Sequence, residues 1–324
     1  MMDDLDLRLL NDFQRDLPLV SRPFAAMGAR LGAPEAEVIA RLRRLRDAGR
    51  IARVGATCRP NTAGASTLAA LQVPPARIDE VAALVGAEPG VNHSYLREGD
   101  WNLWFVATAA GQDRLDASLG RIEAATGLPV LSLPLVRAFN IDLGFPLDGP
   151  RRRMALDRPA DLSALRPGDA GLMQALSSGL PLEPRPFALL ARALNRPEAA
   201  LIDRIAALAE ARLLTRVGVI VRHRALGWRE NAMVVWQLPE TAIATAGPAL
   251  AAIPGVTLCY QRRIVPGLWE FPLFCMIHAR SRPEALAVLD QARALPELAG
   301  ADHRVLFSTR CFRQRGATIT EAAA

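Results

Sequence analysis

The chain has 324 residues, 51% of them hydrophobic, and a formal charge of +6, enough to bury one or two sizeable cores and to favour acidic partners. All 39 basic residues are arginine, which excludes a lysine Schiff base, a covalently held pyridoxal cofactor and a P-loop lysine. Four scattered cysteines (Cys58, Cys259, Cys275, Cys311) form no C-x-x-C, excluding zinc ribbons, thioredoxin-like redox and covalent haem attachment.

The acidic start lacks the layout of a signal peptide, and no apolar run is long enough to span a membrane, so a cytoplasmic protein is expected. Leu5, Leu9, Leu10 and Phe13 fall at helical spacing and predict a first helix ending near Leu17-Pro18. Prolines in the first turn predict two more helices, opening at Pro23-Phe24 and at Pro34-Glu35. In the third, Val38, Ile39, Leu42 and Leu45 form an apolar stripe, and Gly49 closes it. A short strand over 51–57 completes a winged helix-turn-helix in residues 1–62.

Residues 63–148 read as strand 68–73, helix 75–85, strand 91–97, its hairpin partner 101–109, helix 112–126 and strand 130–139. That is the βαββαβ order of a ferredoxin-like domain. A linker rich in Pro, Arg and Asp is expected over 149–168. Residues 169–224 then repeat the winged unit. Residues 225–324 repeat the ferredoxin-like one, with strands 232–238, 257–263, 273–279 and 302–310 and helices 241–252 and 283–294.

The repetition is visible residue by residue. Residues 18–55 align without a gap on 181–218, and the block from Pro89 (PGVNHSYLREGDWNLWFVA) recurs from Pro254 (PGVTLCYQRRIVPGLWEFPLFCMIHA). The expected fold is α+β: a tandem repeat of winged helix-turn-helix plus ferredoxin-like domain, packed as an intramolecular pseudo-dimer. The copies are unequal, since Leu258 stands where the first has His93, which predicts one site built from unlike halves. The exposed edge of each sheet leaves further assembly, such as a homodimer, open.

The third helix of copy one, with its flank, carries Arg41, Arg43, Arg44, Arg46, Arg50 and Arg53, a pattern that could neutralise several phosphates. Copy two keeps only Arg204 in that helix. A two-fold DNA reader needs two equivalent recognition helices, so a retained structural domain with a solvated arginine face is the favoured reading. On the strand 91–97, His93, Tyr95 and Arg97 project to one face, where they could donate a proton and hold a carboxylate. A polar sheet face open to water is the alternative. The adjoining Trp101-Asn102-Leu103-Trp104-Phe105 favours a flat aromatic ligand. In copy two, Arg222-His223-Arg224 follows the wing, and Arg262 and Arg263 follow Tyr260 at the place of Tyr95 and Arg97. His278 taken alone reads as a structural histidine at a strand end, and His303 as a surface residue.

These blocks resemble the siroheme decarboxylase family, with an Lrp/AsnC-like architecture. The first half is similar to the subunit type carrying H-N-Y-x-R…N-L-W-F, here His93-Ser94-Tyr95-Leu96-Arg97 and Asn102-Leu103-Trp104-Phe105. The second is similar to the partner type, through residues 222–227, 231–236, Cys259-Tyr260-Gln261-Arg262-Arg263 and 273–278. Both types in one chain resemble the fused D-L arrangement of haem d1 biosynthesis in denitrifying bacteria. Ser94 replaces the usual Asn, and Pro272 stands where many relatives have an asparagine, which puts a ligand role at 272 in doubt.

The resemblance implies removal of the C12 and C18 acetate carboxyls of siroheme to give 12,18-didecarboxysiroheme, with no cofactor beyond the substrate's iron. It implies His93 and His223 as catalytic acids, or alternatively as ligands to that iron, with no metal site of the protein's own. Substrate contacts would come from Tyr95, Arg97, Asn102, Trp104, Arg222, Tyr260, Arg262, Arg263 and His278. Partners would be siroheme and neighbouring enzymes of the haem d1 pathway, without DNA or membrane. The alternatives are an Lrp/AsnC-type transcription regulator and a non-catalytic haem or siroheme sensor.

Overall fold

The computed structural model describes residues 2–62, 64–141, 144 and 160–318; residues 149–159 of the expected linker lie outside the described residues. The first half contains helices α1 (Asp4–Asp12), α2 (Pro23–Leu31) and α3 (Glu35–Asp47), strands β1 (Ile51–Cys58) and β2 (Ala65–Leu71), and helix α4 (Ile78–Ala87). Strands β3 (Val91–Arg97) and β4 (Leu103–Ala109), helix α5 (Gln112–Thr126) and strand β5 (Leu131–Ile141) follow. The second half repeats this with α6 (Asp169–Ser178), α7 (Pro186–Ala193), α8 (Glu198–Glu210), β6 (Leu214–Val221) and β7 (Glu230–Gln237). It ends with α9 (Glu240–Ala251), β8 (Val256–Arg262), β9 (Leu273–Ala279), α10 (Arg282–Arg293) and β10 (Asp302–Gln314).

These elements sort into two units that regroup the halves: residues 2–62 with 160–226, and residues 64–141 with 227–318. In the first unit the two wings pair antiparallel, β1 on β6, with Gly55 directly opposite Gly218. Each wing is also met by the backbone that follows the first helix of the other copy. Val219 N–H donates to Phe13 C=O at 2.7 Å, and Leu180 N–H donates to Val54 C=O at 2.7 Å. The two glycines make this crossing fit. A Cβ on Gly218 would lie 2.4 Å from the Phe13 and Gln14 carbonyl oxygens, and one on Gly55 2.4 Å from Leu176 C=O. Because backbone atoms cannot rotate aside, Gly218→Ala is expected to lower stability by about 2–3 kcal/mol, read as a drop in the urea midpoint.

The arginine face of α3, expected to be solvated, is exposed at Arg43, Arg44 and Arg46 and is also ion-paired. Arg41 Nη1 donates to Asp3 at 2.7 Å and to Asp6 at 3.0 Å, and its Nη2 to Glu37 at 2.8 Å. Arg44 donates to Asp6 at 2.6 Å, and Arg43 to Glu183 at 2.6 Å. Arg46 pairs with Asp47, Arg50 with Ala225 C=O and Arg53 with Ala56 C=O. Asp6 is fully buried. The one arginine that copy two keeps in this helix, Arg204, aligns with Arg41, and it binds buried Asp169, the counterpart of Asp6. The two copies thus share this internal ion pair, while Ala206, Ala207 and Ala209 stand where copy one has Arg43, Arg44 and Arg46.

In the second unit the two ferredoxin-like sheets close into one barrel in the order β10-β3-β4-β2-β5-β8-β9-β7. The sheet edges expected to be exposed are thus paired with each other. β5 joins β2 through residues 131–134 and β8 through 135–141. β10, longer than expected, joins β7 through 302–307 and β3 through 308–314. Such closure removes unpaired edges and, with them, the reason given for edge-to-edge assembly.

Alternation along the strands makes three cores. Leu103, Phe105 and Ala107 of β4 pack beneath Val81 and Val85 of α4 and Leu115, Leu119 and Ile122 of α5. Val234 and Trp236 of β7, with Cys275 and Ile277 of β9, pack beneath α9 and α10. The intervening residues, Trp104, Leu131, Met233, Val235, Phe274 and Leu306 among them, fill the barrel interior from both halves.

Candidate active site

Direct pairing with β4 sets His93 opposite Val106 and Tyr95 opposite Trp104, so His93, Tyr95 and Arg97 share the interior face, as the alternation predicts. The His93 and Tyr95 rings lie near parallel with centroids 6.5 Å apart, and the Arg97 guanidinium lies 5.5 Å from the Tyr95 ring. His93 Nδ1 is 2.6 Å from Asn92 Oδ1. His93 is half-buried, whereas Asn92 is only 2% exposed.

The second half mirrors this with Tyr260 and Arg262, whose guanidinium is 5.2 Å from the Tyr260 ring. Each arginine spans a seam between the halves. Arg97 Nη1 donates to Leu306 C=O at 3.0 Å, joining β3 to β10, and Arg262 Nη1 donates to Leu133 C=O at 2.8 Å, joining β8 to β5. Burial lowers the Arg262 pKa to about 10 and raises that of the Tyr260 phenol. Arg263 is exposed, and with Arg262, Glu240, Glu270 and Pro272 it lines a cleft of about 580 Å³. That cleft contains neither candidate histidine.

Three expected ligand contacts have their polar atoms engaged inside the protein. Asn102 clips the loop before α4, its Oδ1 accepting from Val73 N–H at 2.9 Å and its Nδ2 donating to Val73 C=O at 2.8 Å. Trp104 is 1% exposed, donates to Trp101 C=O at 2.6 Å and packs edge-on against Trp269 at 5.2 Å. His278 is buried with Nε2 2.8 Å from Asn231 Nδ2 and Nδ1 2.7 Å from Thr257 Oγ1, which itself donates to Met276 C=O. One placement of protons satisfies that chain: Asn231 donates to Nε2, and Nδ1–H donates to Thr257. This matches the structural reading of His278 taken alone. Tyr95, Arg97, Tyr260 and Arg262 are thus brought to one barrel, while His223 and Arg222 belong to the first unit. There Arg222 is exposed, its N–H donating to Arg50 C=O, and His223 is buried in a short turn, His223–Leu226, after β6.

Residues 6–51 and 169–214 match the siroheme decarboxylase NirDL-like HTH domain, and residues 63–140 and 225–313 match the AsnC-like ligand binding domain. The siroheme decarboxylase NirDL subunit of Paracoccus denitrificans (strain Pd 1222) is 77% identical over 323 residues, which is 100% of this chain and 99% of that one. The chain belongs to the siroheme decarboxylase NirDL family.

A solved NirDL siroheme decarboxylase shares 26% identity and a TM-score of 0.66, covering 97% of this chain and 93% of that one, and was also crystallised with an iron-uroporphyrin III analogue. The NirD subunit of Stutzerimonas stutzeri, 49% identical over 149 residues, matches 46% of this chain and 98% of its own length, so one fused half corresponds to a whole NirD subunit. The polar groups that the sequence pattern does not single out are Asn92, which bonds His93, and Thr108, which bonds Asn92. No helix among the described residues is long and apolar enough to cross a membrane, and none of their His, Cys, Asp and Glu side chains form a metal-holding group of three.

Proposed function

We propose that this chain is a carboxy-lyase that converts siroheme to 12,18-didecarboxysiroheme in haem d1 biosynthesis. The observation that carries this reading is the end-to-end 77% identity with the Paracoccus denitrificans siroheme decarboxylase NirDL subunit. The complex of the solved relative with an iron-uroporphyrin III analogue supports a polycarboxylate tetrapyrrole as ligand. Arg41, bound to Asp3, Asp6 and Glu37, and Arg44, bound to buried Asp6, weigh against the regulator reading, because a phosphate-binding face needs charge that is not already answered.

Each step exchanges carbon dioxide for one proton: an acetate arm, as carboxylate, plus a proton gives a methyl group and carbon dioxide. Protonation of the pyrrole α-carbon next to the carbon that bears the arm lets the ring accept the electron pair of the breaking bond, leaving an exocyclic methylene. The freed methylene then takes up a proton as the ring carbon releases its own. No oxidant is required, and no cofactor beyond the substrate's iron is proposed. His93 and His223 are the proposed acids, since imidazole titrates near neutrality. The exposed guanidiniums of Arg222 and Arg263 are proposed to clamp carboxylates bidentately. Arg97 and Arg262 each have one N–H committed to a strand carbonyl.

Anaerobic incubation with siroheme, followed by mass spectrometry of the extracted tetrapyrrole, tests this. Loss of two carboxyl groups is expected. Siroheme that co-purifies unchanged would favour a carrier or sensor. A salt-sensitive, sequence-specific gel shift without siroheme binding would favour the regulator.

A further inference from the structure

We infer that Asn92 is a positioning residue that holds His93 as its Nδ1–H tautomer; this rests on the decarboxylase reading above. On a regular strand, neighbouring side chains point to opposite faces and cannot bond to each other. Here the pairing slips between Val91, opposite Ala107, and His93, opposite Val106, so that Asn92 is an extra residue in β3. A bulge of this kind re-aims a side chain. It brings Asn92 Oδ1 to 2.6 Å from His93 Nδ1.

The amide is oriented from its other end. Asn92 Nδ2 donates to Thr108 Oγ1 at 3.2 Å, and Thr108 Oγ1 donates to Gly90 C=O at 3.4 Å. With Nδ2 committed to Thr108, the oxygen faces the imidazole. A carbonyl oxygen only accepts, so Nδ1 carries the hydrogen. The same contact stabilises the imidazolium that a general acid must form before donating. Copy two slips at the matching place, between Val256 and Leu258, but there the bulge residue Thr257 binds His278, whose other nitrogen is taken by Asn231. The duplicated bulge thus serves a locked histidine in one half and a half-buried one in the other.

Histidine ¹⁵N spectra of the full chain test this, because only four histidines contribute and each is assigned by substitution. In the neutral form, wild-type His93 is expected as the Nδ1–H tautomer. Asn92→Ala is expected to shift it towards Nε2–H and to lower kcat by about 10–100-fold with little change in KM, the scale seen when a supporting partner is lost. Asn92→Asp is expected to move the loss of activity to higher pH, because a carboxylate beside Nδ1 favours the imidazolium. Thr108→Val is expected to shift the tautomer in the same direction but less, and it reports on the relay if Asn92→Ala does not fold. An Nε2–H tautomer in the wild type, or a tautomer and pH profile unchanged by both Asn92 variants, would overturn the inference. A tautomer shift in Asn92→Ala together with full activity of His93→Ala would instead retain the positioning and remove His93 from the reaction.

Discussion

His93→Ala is expected to lower the rate of siroheme decarboxylation by about 10²–10⁴-fold while siroheme still binds, the range over which a positioned acid contributes. Binding should survive because the two Tyr–Arg pairs at the barrel seams and the exposed Arg263 are untouched. The loss should appear in kcat rather than KM, since protonation of the ring carbon is felt only on the way to the transition state. His223→Ala tests the second proposed acid in the other unit. If both single variants turn siroheme over at the wild-type rate, neither histidine is the acid. Visible spectra of bound siroheme separate the alternative role: an iron ligand, once removed, changes the spectrum even where the rate is unaffected.

Asp169→Ala is expected to destabilise the first unit by about 3–5 kcal/mol, the cost of leaving a buried charge without its partner. The Asp169 and Arg204 side chains are 2% and 9% exposed, and Arg204 Nε donates to Asp169 Oδ1 at 2.9 Å with a second bond from Nη2. Asp6→Ala, at the aligned position in copy one, should cost less. Its partner Arg41 retains Asp3 and Glu37, and its other partner, Arg44, is 52% exposed. Burial pushes the Asp169 carboxyl up, but hydrogen bonds from Arg204 and the Arg166 N–H prevail and hold it below the usual aspartate value. A depressed carboxylate contributes its stability above its unfolded pKa and loses it as pH falls through the folded one. Wild type should therefore lose this contribution only in strong acid, and urea midpoints for wild type and Asp169→Ala should converge there.

Much of this was legible in the residues. Helical spacing, proline at first turns and two-residue alternation are local signals, and they placed α2, α5, β3 and β9 on the expected residues and set His93, Tyr95 and Arg97 on one face. The His93–Leu258 difference likewise marked the halves as unlike before any contact was known. Asn102 and Trp104, which the resemblance implies as ligand contacts, have polar atoms bonded to Val73 and Trp101, and an amide or an indole beside a polar strand looks the same in sequence whether it faces a ligand or closes a loop.

By itself the sequence determined the duplicated α+β design, the absence of lysine chemistry and the family. Tertiary structure alone decided which arginines are available, that the two sheets close on each other, and why Gly55 and Gly218 are glycine. It also decided that a bulge turns Asn92 onto His93. The physical reason is range. Periodicity reports which face of an element is apolar, whereas a carbonyl 2.4 Å from a missing Cβ, or an arginine bonded across a seam, depends on chain segments far apart in sequence that meet only in the folded molecule.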